Sequence, residues 1–90
     1  MRVITISPRT TKEIRKEMRS LNKDGGTLSD TILVEGWGQI KKIGNSARSY
    51  AIGPLPENDD SDPYTDYSAW SYGLRETWVL DYIKRDLEIE

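Results

Sequence analysis

Oxygen ligands at alternate positions, Asn58, Asp60 and Asp62, are the first residues in this 90-residue chain whose spacing could do chemistry. The same spacing begins a calcium-binding loop. Such a loop also needs glycine at its sixth position and a bidentate carboxylate at its twelfth, and this chain has Pro63 and Ala69 there. Acids this close together could also act as an acid–base pair, although a run of acids is ordinarily a solvated loop. We therefore predict neither a metal site nor a catalytic pair of acids here.

Two further patterns could serve catalysis or cofactor binding. Gly36-Trp37-Gly38 follows an apolar run, as a dinucleotide fingerprint would, but the third glycine position holds Lys41. Glycines beside a strand more often mark a bend or a bulge. Ser46 and Lys42 have the types of a Ser–Lys dyad, yet no neighbouring sequence buries the lysine as a general base requires. Because the chain also has no Cys and no His, we predict a protein that is not an enzyme and binds no cofactor.

Charge is distributed unevenly along the chain. Residues 1–24 carry a net charge of +4, residues 25–52 carry +1 and residues 53–90 carry −7, for a total of −2. This asymmetry indicates charged partners or pairing between the two halves, and it does not determine the fold. No apolar run exceeds three residues, and the N-terminus lacks the apolar core of a signal peptide. We therefore expect a cytoplasmic protein that does not contact membranes.

Hydrophobic periodicity predicts a small α+β fold in a single domain, residues 1–90. Its four segments are a basic strand and helix (1–24), a β region (27–56), an acidic aromatic loop (57–73) and a C-terminal segment (74–90). The first strand is predicted at Arg2–Ile6, where β-branched residues precede Ser7-Pro8. Thr10 and Glu13 form a capping box that starts an amphipathic helix, and the sequence from Asn22 to Gly26 is predicted to end it.

The β region is predicted as an antiparallel sheet that contains a hairpin. Residues 31–34 favour a strand, and residues 39–43 and 47–52 flank Gly44-Asn45-Ser46, which tolerate positive φ in a turn. Residues 74–87 fit either a helix or a strand. We favour the helix because of the length and the Asp81–Arg85 spacing.

Tyr64, Tyr67 and Trp70 recur at helical spacing, and Gly73 would end this short helical turn. Clustered carboxylates steer a chain towards a basic partner, and Tyr and Trp dominate interface hot spots. The alternative is that the rings form the core while the acids keep a loop in water. The predicted protein-binding residues, here called the acidic aromatic segment, are Glu57, Asp59, Asp60, Asp62, Tyr64, Asp66, Tyr67 and Trp70.

Basic residues form a second candidate surface, which would contact the phosphates of DNA or RNA. The competing interpretation is a solvated helix face, or a face that pairs with the acidic loop. The candidates are Lys12, Lys16, Arg19 and Lys23 on the first helix, together with Lys41 and Lys42.

Two segments resemble families that bind DNA. Arg2–Ile6, the helix and the sequence Leu28-Ser29-Asp30-Thr31-Ile32 together resemble the opening of ribbon–helix–helix repressors. That resemblance implies a dimer whose paired N-terminal strands lie in the major groove, with Arg2 and Thr5 facing bases. Separately, Lys41-Lys42-Ile43-Gly44-Asn45-Ser46 is similar to the swapped hairpins of AbrB/MazE-type proteins.

The leading functional prediction is a non-enzymatic inhibitor or regulator that covers a basic, nucleic-acid-binding surface of another protein. Small acidic inhibitors encoded by phages, including the anti-CRISPR type, share this general composition, which is an analogy and not a family match. The alternative is a dimeric DNA-binding transcriptional regulator or antitoxin. The inhibitor prediction is compatible with a monomer or a homodimer.

Overall fold

The computed structural model describes residues 3–21, 30–55 and 70–90, which form a five-stranded sheet and two helices. The elements are β1 (Val3–Ile6), α1 (Thr11–Arg19), β2 (Thr31–Val34), β3 (Gly38–Lys42), β4 (Tyr50–Gly53), β5 (Ser71–Leu74) and α2 (Glu76–Leu87). The strands lie side by side in chain order. The α+β class is confirmed, but the sheet is mixed rather than antiparallel, because β1 pairs parallel to β2.

The first helix begins where the capping box predicts. The hydroxyl of Thr10 accepts a hydrogen bond from the backbone N–H of Glu13 at 3.4 Å. The carboxylate of Glu13 accepts from the backbone N–H of Arg9 rather than from that of Thr10, so only half of the predicted box forms. The helix ends at Arg19, and Ser20 caps it with bonds to carbonyls of the last turn. Its end therefore precedes the predicted one, and Asn22–Gly26 lies outside the described residues.

Gly36-Trp37-Gly38 is a turn and not a cofactor fingerprint. Gly36 has φ +77°, and the backbone N–H of Trp37 bonds to Val34 at 3.0 Å, so β2 reverses into β3. The predicted hairpin is confirmed as β3 and β4, which pair antiparallel on either side of Gly44 with its φ of +88°. Both reversals use glycine where an L side chain would be strained.

One face of the sheet packs against both helices. Ile32, Ile40 and Ile52 lie in register across β2, β3 and β4 and face this layer. The helices bury apolar residues against them, namely Ile14, Met18, Val79, Leu80 and Ile83. The helical interpretation of residues 74–87 is thus confirmed from Glu76 onward, and the strand alternative is wrong.

Residues 71–74 correct another prediction. Gly73 lies inside the edge strand β5, with φ +74°, and does not end a helical turn. Tyr64 and Tyr67, the other members of that predicted turn, lie outside the described residues. The strand forms because β5 pairs antiparallel with β4, through an irregular register between Tyr50 and Ile52. Within the described ranges, neither helix has the length and apolar character needed to cross a membrane.

Candidate functional site

Trp70 is the one member of the acidic aromatic segment among the described residues, and it is buried. Its ring lies against Gly53 at the end of β4. A Cβ at that glycine would come within 2.5 Å of the indole. The Trp70 ring therefore packs within the chain and is not exposed to a partner. The other seven members, from Glu57 to Tyr67, lie outside the described residues.

Lys41 is buried on the sheet face opposite the helices, between the buried Trp70 and the exposed Tyr72. Its side chain has no exposed surface, and Nζ lies 4.4 Å from the centroid of the Trp70 ring. The ammonium donates to the Tyr72 hydroxyl at 3.5 Å and lies 5.2 Å from that ring. Burial lowers the pKa of Lys41 below its ordinary value because it penalises the charged form. A lysine in this position contributes to packing and does not present its charge to a phosphate.

Of the remaining predicted basic residues, those of α1 that the structure describes are exposed. Lys12 and Lys16 are exposed on α1, and Lys23 lies outside the described residues. Arg19 reaches α2 instead, where two of its nitrogens each lie 3.4 Å from carboxylate oxygens of Glu76. Lys42 is half-buried. Lys12, Lys16 and Arg19 are thus exposed together on α1, and Arg19 is in addition paired with Glu76.

Helix α2 carries exposed rings that were not among the predicted site residues. Trp78 is 39% exposed and Tyr82 is 37% exposed, and the two lie one turn apart. Arg75, Trp78, Tyr82 and Arg85 recur at spacings of three, four and three, which places them on one stripe of the helix. That stripe lies away from Val79 and Ile83, which face the core.

Three guanidinium groups lie over these two rings. Those of Arg48 and Arg75 are 5.1 Å and 5.6 Å from the Trp78 centroid, and that of Arg85 is 5.4 Å from the Tyr82 centroid. Arg48 is oriented by its Nε, which donates to the Gly73 carbonyl at 3.2 Å. Cation–π contacts of this kind fix long side chains over the rings that they cover. We call Arg48, Arg75, Trp78, Tyr82 and Arg85 the arginine–aromatic face.

A hydrogen bond beside this face anchors α2 to the turn between β2 and β3. The indole N–H of Trp37 donates to Asp86 Oδ2 at 2.9 Å. Arg85 lies 3.3 Å from the other oxygen of Asp86, so its acidic partner is the next residue rather than Asp81 as predicted. The bond from Trp37, with a smaller effect of Arg85, holds the pKa of Asp86 below its ordinary value.

The lowered pKa of Asp86 predicts an acid-dependent signal at Trp37. The stabilisation should be complete above the ordinary carboxyl pKa of about 3.9 and should be lost as the pH falls through the lower, folded-state value. The indole N–H proton resonance of Trp37 should therefore titrate with a midpoint below about 3.9. The Asp86→Asn variant should lack this titration. A midpoint at or above the ordinary value would contradict the assignment.

The sequence contained a signal for the arginine–aromatic face. Once Trp78 and Tyr82 are set aside, Val79, Leu80 and Ile83 form a narrow apolar stripe of one helix, so the two rings need another role. No family model, curated protein or solved structure matches this chain.

Proposed function

We propose that the chain is a non-enzymatic binding protein that covers a surface of another protein and regulates or inhibits it. The observation that carries this proposal is the arginine–aromatic face of α2. Tryptophan, tyrosine and arginine are the residue types most enriched among interface hot spots. Here four such residues lie along one exposed face of α2 and its cap residue, Arg48 reaches over them from the β3–β4 connection, and the opposite side of the helix packs in the core.

A protein partner suits this face better than a nucleic acid. Single-stranded nucleic acids bind by stacking bases on exposed rings. Two guanidiniums already lie within 6 Å of the Trp78 centroid and one lies as close to Tyr82, so they compete with a base for stacking on these rings. A partner side chain can instead pack on ring edges while partner carboxylates pair with the guanidiniums. The partner region that meets α2 is thus an apolar patch bordered by acids.

The acidic residues of the chain add a second proposed contact. Five acids and no bases lie between residues 57 and 66. Such a concentration of charge accelerates association with a basic surface, and it acts chiefly on the association rate. We therefore propose that the partner also presents a basic, nucleic-acid-binding region, which these acids cover.

Site-specific photocrosslinking tests the proposed face. A benzophenone amino acid at position 82 should give a single predominant adduct in a lysate of the source cells. The same probe at Lys84, which is exposed on the same helix outside the stripe, provides the matched control. The adduct at position 82 should disappear when Trp78 is replaced by alanine. Equal adduct formation at both positions would rule out α2 as the specific contact.

Replacing Asp59, Asp60 and Asp62 together by asparagine tests the proposed basic partner. Once the partner identified by crosslinking has been purified, the triple variant should associate with it more slowly than the unchanged chain does. The association rate should also depend less on salt, because long-range attraction has been removed. The free energy of unfolding should change by less than about 0.5 kcal/mol. Stopped-flow association at several salt concentrations measures both effects. An unchanged rate at low salt would remove the acidic segment from the proposal.

A further inference from the structure

The outer edge of β1 is a backbone surface that the described residues leave unpaired. β1 stands at one end of the strand order and pairs with β2, and within the described ranges no strand lies on its other side. Val3 is 41% exposed, and Thr5 is exposed as well. An edge of this kind presents N–H and C=O groups to which a further strand can bond.

The pairing with β2 determines which backbone groups of β1 point outward. The carbonyl of Ile6 accepts from the N–H of Glu35 at 3.0 Å, so the backbone groups of Ile6 face β2. Successive residues of a strand direct these groups to opposite sides, so those of Ile4 also face β2 while those of Val3 and Thr5 face outward. Within the described ranges no backbone hydrogen bond outside the β1–β2 pairing uses the groups of Val3 or Thr5.

The side chains of β1 carry the apolar layer of the fold to this edge. Ile6 packs against the core, and Ile4, two residues away, lies on the same side of the sheet. Both isoleucines are half-buried, since the layer ends with the strand that bears them. A strand beside β1 would therefore cover apolar surface in addition to bonding with the backbone.

The opposite edge of the sheet has features that hinder strand addition. In β5, Gly73 has φ +74° and the pairing with β4 is irregular. Arg48 Nε also donates to the Gly73 carbonyl at 3.2 Å. Bulges, prolines and charged side chains are the usual protection of edge strands, and residues 3–6 contain no proline, glycine or charged residue. β1 is thus the edge that remains suited to pairing.

We propose that β1 pairs antiparallel with β1 of a second copy of this chain, which joins two five-stranded sheets into one. A two-fold axis at Ile4 sets Val3 opposite Thr5 of the partner subunit, and the same pair recurs on the other side of the axis. Each pair exchanges two N–H···O bonds through the outward groups. Ile4 then meets its own copy as a non-hydrogen-bonded pair, in which side chains approach closely.

The sequence of β1 suits a second copy of itself. In this register apolar side chains meet on the helix side of the sheet, and no charge in residues 3–6 opposes its copy. Because the patch pairs with itself and the β5 edge is hindered, assembly closes at two chains. The ribbon–helix–helix resemblance implies something different, strands exposed to a DNA groove, whereas here each β1 lies inside a continuous sheet. No residue of the arginine–aromatic face belongs to this edge.

Sedimentation equilibrium of the unchanged chain and of two variants at Thr5 tests the proposal. The 10.3 kDa monomer should form a dimer with a Kd of about 10–100 µM, because the paired strands are short and bury little area. Thr5→Pro removes an outward N–H that β2 does not use, so it should fold and remain monomeric up to about 1 mM. Thr5→Ala keeps that N–H and should dimerise as the unchanged chain does. A monomer at every concentration, or a dimer that Thr5→Pro does not weaken, would overturn the proposal.

Single cysteines test the register and decide the matter if Thr5→Pro does not fold. Since the chain contains no cysteine, Ile4→Cys carries one thiol, which the two-fold axis places within disulfide distance of its copy. Val3→Cys is the matched control, because position 3 is more exposed but faces position 5 of the partner subunit. Mild oxidation should crosslink Ile4→Cys at least about tenfold faster than Val3→Cys. Equal rates, or a faster reaction of Val3→Cys, would contradict pairing about Ile4.

Discussion

Replacing Gly53 by alanine should destabilise the protein by about 1–3 kcal/mol, although the change adds only a methyl group. The new Cβ would come within 2.5 Å of two atoms of the Trp70 ring and 2.9 Å of a third. The ring cannot simply withdraw, because it is buried and also lies under the ammonium of Lys41. Chemical denaturation of the two proteins measures the loss.

A second substitution tests the cause of this effect. Trp70→Leu shortens the side chain that meets Gly53 and should itself cost up to about 3–5 kcal/mol, as large-to-small changes in a core do. In that background, Gly53→Ala should cost much less than it does with tryptophan present, since the clash has been removed. A cost that is the same in both backgrounds would show that the contact between the two residues is not what constrains Gly53.

The start of α1 and the β3–β4 hairpin could be predicted from the sequence because their signals are local. Thr10 and Glu13 mark the start of α1, and the glycine at position 44 marks the hairpin. The adjacency of β1 and β2 is different in kind. These strands are more than twenty residues apart, and their parallel pairing has no local signature. Thr31 and Ile32, from the segment that resembles ribbon–helix–helix repressors, lie in β2 between β1 and β3.

The second face of the sheet explains why the burial of Lys41 cannot be predicted from the sequence. Gln39 and Lys41 are polar residues at alternate positions of a strand, a pattern typical of a solvated face. Both are buried, and Trp70, which follows from far along the chain, packs against this face. A contact between residues 53 and 70 cannot be read from strand periodicity. Strand alternation therefore places the Lys41 side chain in solvent, whereas the fold buries it.

The exposure of Trp78 and Tyr82 is hidden for the opposite reason, because apolar residues of a helix are expected to be buried. Treating every apolar residue of α2 as a core residue spreads the pattern over too wide an arc for a helix. The apolar face of α2 becomes narrow enough for a helix when Trp78 and Tyr82 are taken as exposed. Their rings are exposed where arginine guanidiniums lie over them. The candidate surface was thus present in the sequence, but its recognition required the position of Arg48, which approaches from another element.

Trp78→Ala should weaken the partner complex by about 2 kcal/mol or more, a factor of about 30 in Kd. The ring is the centre of the arginine–aromatic face, since two of the three guanidiniums lie over it. Its removal therefore takes away an anchor and also the surface that orients those guanidiniums. The fold should remain intact, with a loss of about 1 kcal/mol or less, because the side chain is 39% exposed and its cation–π contacts are at the surface.

The most direct measurement is the Kd of the complex between this chain and the partner protein identified by crosslinking. Calorimetry should compare this Kd for the unchanged chain, Trp78→Ala and Lys84→Ala. The proposal predicts the loss of about 30-fold for Trp78→Ala and no loss for Lys84→Ala. Duplex or single-stranded oligonucleotides should bind no more tightly than the roughly 10⁻⁴–10⁻⁶ M of non-specific contact at physiological salt. Equal affinity of all three chains for the partner would contradict the role of α2, and nanomolar, sequence-dependent binding of an oligonucleotide would replace it with nucleic-acid recognition.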